Sequence, residues 1–225
     1  MAELTIDPAT TALVLIDLQR GITGGQTVPN AAPDVIARAA RLAAACRRRG
    51  VLVVLVRVDP GANGALFPRP QADQPRPPMT VTPEWTELVP ELDRQHDDVV
   101  VTKHQPNAFY ATDLEVQLGR RGIRTILLAG ISTNVGVEAT ARAAHERGFE
   151  QVFIPEVMAA READLHDHSV RRIFPTLGRV RALDVVLAAL AYDPVRTELR
   201  QLEADDPRHD QRDAHEPNHT RGLLE

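Results

Sequence analysis

Apolar residues cluster in short runs along this chain, and the runs are apolar at nearly every position rather than at alternate ones. Residues 11–17, 51–57, 98–103, 125–130 and 151–154 all read this way, and a short further run at 180–181 suits a sheet edge. A strand with one wet face alternates, whereas a strand covered on both faces does not. The runs therefore predict buried parallel strands. Between them lie stretches with helical spacing, at 31–49, 111–121, 135–147, 165–174 and 183–190. The first three are followed by Gly50, Gly122 and Gly148, natural helix stops. Alternating strands and helices predict an α/β, three-layer Rossmann-like fold. Its mostly parallel sheet has five or six strands, with helices on both faces.

Two segments break this rhythm. Residues 60–90 contain Pro60, Pro68, Pro70, Pro75, Pro77, Pro78, Pro83 and Pro90. An excursion of that length between strands is either a wall or lid for a pocket, or surface decoration. From residue 193 onward the chain is strongly charged, with His209, His215 and His219 but little apolar periodicity. The expected organisation is one domain over 1–192, then a charged tail or oligomerisation arm over 193–225. Histidines spaced in this way give a metal site little support.

Composition narrows the function classes. The 225 residues include 26 basic and 31 acidic side chains, a net charge of −5, which gives no reason to expect nucleic acid or an anionic membrane as partner. The apolar runs are too short to span a bilayer, and no basic segment leads into an apolar stretch at the start. The single cysteine, Cys46, excludes an internal disulfide framework and a cysteine-rich zinc site. The expectation is a soluble cytoplasmic protein. No glycine-rich phosphate loop follows the first strand, since Gly21, Gly24 and Gly25 lack the required spacing.

In a parallel sheet, ligands bind beyond the carboxyl ends of the strands. Asp17 closes the first run, Lys103 closes the third, and the turn from Ile131 to Gly136 follows the fourth. Each also has a plain structural reading: a cap, a solvated lysine, and a glycine that permits close packing.

Together the segments carry more. Leu15-Ile16-Asp17-Leu18-Gln19, then Thr102-Lys103 with Asn107-Ala108-Phe109, then Gly130-Ile131-Ser132-Thr133-Asn134-Val135-Gly136-Val137 resemble, in order and spacing, the signature of the isochorismatase-like hydrolases. Most of that family uses an aspartate, a lysine and a cysteine. The resemblance assigns the first two to Asp17 and Lys103, and the third falls on Gly136, which has no side chain. Cys46, inside a helical stretch, is no substitute. The resemblance further implies a cis peptide at Ile131-Ser132. It places Ile131, Ser132, Thr133, Asn134, Val135, Phe109 and Gln19 at the substrate or oxyanion site, and it implies a homo-oligomer, dimer or tetramer. Zinc-binding members carry an Asp-x-His pair where this chain has Asp59-Pro60-Gly61, so neither metal nor cofactor is expected.

Family members without the cysteine include true isochorismatases, which hydrolyse a vinyl ether and release pyruvate. By that resemblance Asp17 is a general acid, which requires burial to raise its pKa while Lys103 pulls it down. Two alternatives stay open. Asp17 could act as a base that activates water against an amide, with backbone N–H groups of the turn receiving the oxyanion. Loss of the nucleophile also suits a non-catalytic binding protein.

Overall fold

The computed structural model describes residues 4–68, 70–74 and 79–192. The strands are β1 (Thr11–Ile16), β2 (Leu52–Val58), β3 (Val99–Lys103), β4 (Thr125–Ile131), β5 (Glu150–Ala159) and β6 (Arg179–Val180). They form one six-stranded sheet in the order β3-β2-β1-β4-β5-β6, with every pairing parallel. All of β1 is buried, as its unbroken apolar run requires. The expected edge strand is β6, paired with β5 through Phe153 and Val180.

The helices are α1 (Arg20–Thr23), α2 (Ala32–Arg49), α3 (Leu114–Gly119), α4 (Glu138–Glu146), α5 (Ala163–His168), α6 (Phe174–Leu177) and α7 (Leu183–Ala191). From β1 the chain steps outward to β2 and β3, then returns past β1 to β4 and steps toward the other edge. Right-handed crossovers then place α2 and α4 on opposite faces. In keeping with this, α2 packs against α7, and α4 packs against α6. On α2 the stripe Val35, Ile36, Ala39, Leu42, Ala43 and Cys46 is buried, and the helix stops at Gly50, whose φ of 76° suits a residue without a Cβ.

Several boundaries differ from the sequence reading. The strand expected at 151–154 continues to Ala159. Its register with β4 shifts between Leu128 and Gly130, and this bulge accommodates Pro155, which has no N–H for the ladder. The helix expected from 111 begins at Leu114, because Ala111 turns at φ 52° and the Thr112 hydroxyl accepts the Leu114 N–H. A π-helical turn, Thr133–Val137, precedes α4, and another, Ser169–Ile173, joins α5 to α6. The tail over 193–225, with its three histidines, lies outside the described residues. Among the described residues no helix is long and apolar enough to cross a membrane.

The proline-rich excursion folds as short 3₁₀ turns at Ala62–Gly64, Pro83–Thr86 and Pro90–Leu92. It is tied down near the sheet. The Gln19 amide donates to Val58 O at 2.9 Å and to Trp85 O at 3.1 Å, while its oxygen accepts the Val58 N–H at 2.7 Å. The Trp85 indole lies flat against the Gly21 backbone, where a Cβ would overlap it.

Candidate active site

The chain reverses its lateral direction between β1 and β4, and the crevice beyond that switch point is where an open parallel sheet binds its ligand. The two strands approach closely there. Gly130 has φ 127°, and a Cβ on it would overlap the Ile16 carbonyl. Asp17 follows directly, in a left-handed conformation at φ 53° that aspartate tolerates better than most residues.

Lys103 closes β3, two strands away, and its long stem spans the end of β2. Its ammonium donates to Asp17 Oδ2 at 2.8 Å and to Pro106 O at 2.8 Å. Both partners are buried, with Lys103 at 1% exposure and Asp17 at 5%. Burial pushes the Asp17 carboxyl up from 3.8 to about 6, although the charge and hydrogen bond of Lys103 pull it down. Desolvation wins that contest. Asp17 Oδ1 is buried without a hydrogen-bond partner.

Gly136 sits in the π-helical turn after β4. A Cβ built on it would stand 3.1 Å from Asp17 Oδ2, 3.3 Å from Lys103 Nζ and 2.8 Å from Ile16 Cγ2. The position is thus the third corner of a triangle with the carboxylate and the ammonium, and the Ile16 methyl presses against it. Cys46 is buried on α2, and burial pushes its thiol up to about 12, which leaves no thiolate for chemistry at neutral pH.

A cavity of about 470 Å³ opens over these groups. Asp17, Lys103 and Gly136 line it together with Ile131, Ser132 and Val135 from the turn. The Ile131-Ser132 peptide is cis. Phe67, Met79 and Trp85 of the proline-rich excursion form an apolar wall, and Arg161 lies at the exposed rim. The excursion is therefore pocket wall rather than decoration.

Gln19, Phe109, Thr133 and Asn134 do not line this cavity. Gln19 points instead toward β2 and the Trp85 carbonyl. Phe109 packs against Phe149 with centroids 5.7 Å apart, under the Arg147 guanidinium. Thr133 Oγ1 lies 2.8 Å from His166 Nδ1 in a buried contact, and burial lowers the pKa of that histidine. Asn134 is half-buried on the π-helical turn. Two N–H groups of the turn, those of Val135 and Val137, donate to Ser132 O. Near Asp59, its Oδ1 accepts the Gly61 N–H, and His104 Nδ1 lies 2.7 Å from its carbonyl. Among the described residues no three His, Cys, Asp or Glu side chains gather as a metal site.

Sequence reasoning passed over Ile16, Trp85 and Arg161. A strand end was the missing signal for Arg161, since β5 runs on past Pro155 to finish just before it.

A buried carboxyl ready to exchange protons, beside a fixed ammonium and under a small cavity, is the equipment of a small-molecule hydrolase. The isochorismatase domain matches residues 11–184, and the chain belongs to the isochorismatase family. It is 43% identical over 187 residues to the uncharacterized isochorismatase family protein YecD of Escherichia coli O157:H7, covering 83% of this chain and 100% of that one. It is 30% identical over 217 residues to the ureidoacrylate amidohydrolase RutB of Methylorubrum extorquens, covering 86% and 88% of the two chains. Among solved structures, an isochorismatase family protein from Burkholderia thailandensis superposes with a TM-score of 0.80 at 43% identity, covering 85% of this chain and 100% of that one.

Proposed function

We propose that this hydrolase cleaves a vinyl-ether bond by proton transfer from Asp17, with no covalent intermediate. One observation carries the reading: where a nucleophile would stand there is only Gly136, next to a carboxyl that burial holds at about 6. At neutral pH about one such carboxyl in ten is protonated and able to donate.

Lys103 donates to Asp17 Oδ2, the oxygen that faces Gly136, while Oδ1 is buried without a partner. The protonated Asp17 carboxyl gives its proton to the terminal carbon of the enol ether. The double-bond electrons form the new C–H bond, and the ether oxygen stabilises the resulting cation. Water adds to the cationic carbon and returns a proton to Asp17. The hemiketal then collapses to a ketone and an alcohol, which for isochorismate means release of pyruvate. The cavity lined by Asp17, Lys103 and Gly136 leaves room for that water.

A second reading is C–N bond hydrolysis, with Asp17 as base toward the same water. The similarity to the ureidoacrylate amidohydrolase favours it. Pyruvate release from isochorismate by wild type but not by Asp17→Asn supports the first reading. Ammonia release from ureidoacrylate, with no pyruvate from isochorismate, replaces it by the second. The working state proposed is a dimer or tetramer, and a monomer in sedimentation velocity overturns that assignment.

A further inference from the structure

We infer that the cavity takes a small carboxylate-bearing molecule, and that Arg161 holds a carboxylate of it. The inference rests on the reading of this cavity as the substrate site, and not on which bond is broken there.

Charge balance is the first argument. Asp17, Lys103 and Arg161 are the charged side chains lining the cavity. Asp17 and Lys103 pair with each other at 2.8 Å. Arg161 has no hydrogen-bond or ion-pair partner among the described residues, and no other acid lines the cavity. With Asp17 ionised the cavity keeps one uncompensated positive charge, and with Asp17 protonated it keeps two, so an anionic ligand suits it in either state. Guanidinium presents a planar fork that fits a carboxylate with two parallel hydrogen bonds.

Placement is the second. Arg161 follows Ala160, whose backbone exchanges hydrogen bonds with Val28 at 2.9 and 2.8 Å, so the base of the side chain is held. The guanidinium then lies over Gly25, where a Cβ would stand 2.9 Å from Nη1. A bare glycine leaves the rim open for the fork. Phe67, Met79 and Trp85 line the same cavity and suit a flat, unsaturated body.

Binding and chemistry are coupled by this arrangement. An anion entering the cavity disfavours ionisation of Asp17, so the ligand itself helps keep the carboxyl protonated.

Calorimetric titration with benzoate and with benzamide, its neutral match, tests the inference on wild type, Arg161→Gln and Arg161→Lys. Arg161 is an exposed side chain, so the variants should fold, and thermal unfolding checks this. Wild type is expected to bind benzoate roughly tenfold or more tightly than benzamide, the worth of a charge-assisted pair. Arg161→Gln should lose the preference without weakening benzamide, and Arg161→Lys should keep part of it. Equal binding of the two compounds, no binding of either, or a preference that survives in Arg161→Gln overturns the inference. If neither isochorismate nor ureidoacrylate is hydrolysed while benzoate still follows Arg161, the reaction reading fails and this one stands.

Discussion

The Cγ2 methyl of Ile16 stands 2.8 Å from the point where a Cβ on Gly136 would begin. The two residues fit each other: the β-branched side chain before Asp17 fills room that a side chain at 136 would need. Placing a side chain at position 136 therefore also requires a change at Ile16. Gly136→Ala is expected to strain against Ile16, lowering stability by about 1–3 kcal/mol. It should also displace water from Asp17 and Lys103, lowering kcat/KM roughly tenfold to a hundredfold. Unchanged turnover in Gly136→Ala would mean the space has no part in the reaction. Iodoacetamide should leave wild type active, because the sole cysteine is buried and its thiol is held at about 12.

Asp17 also makes stability depend on pH. Its carboxyl binds a proton more tightly in the fold than in the unfolded chain, at about 6 rather than 3.8. That contribution is fully present below 3.8 and is lost as pH rises through about 6. Across this window the loss is on the order of 3 kcal/mol. His166 tilts the other way, because burial lowers its pKa and stability falls on acidification. Comparison of wild type with Asp17→Asn by denaturant unfolding isolates the aspartate. The variant should lack the decline between those two pH values, and parallel curves for the two proteins would contradict the raised pKa.

Trp85 reports on the cavity wall. It is the only tryptophan in the chain, and its indole rests on Gly21. Gly21→Ala should push the ring off, shift its fluorescence to the red, and raise KM roughly tenfold with little change in kcat, as expected for lost apolar contact. A red shift with unchanged KM would show that the wall does not touch substrate.

Much of this site was legible before the structure, for identifiable reasons. Asp17 and Lys103 stand at the ends of apolar runs, and parallel topology brings such ends together. Gly136 became informative only through the order of three separated motifs. Four motif residues turned elsewhere, because position in a motif does not say where a side chain points. Gln19, two residues past Asp17, braces β2 and the excursion, while Thr133 faces His166. The excursion has no periodicity from which the placement of Phe67, Met79 and Trp85 could be read. Arg161 was hidden by Pro155, which reads as a strand stop although the sheet absorbs it in a bulge.

The most direct test of the acid role is the pH dependence of kcat/KM for pyruvate formation from isochorismate. With Asp17 as the proton donor, the rate should be level below about pH 6 and fall tenfold per unit above it. A rate that rises through that pH would make Asp17 a base. Either that rise, or no pyruvate at any pH, would contradict acid-catalysed vinyl-ether hydrolysis.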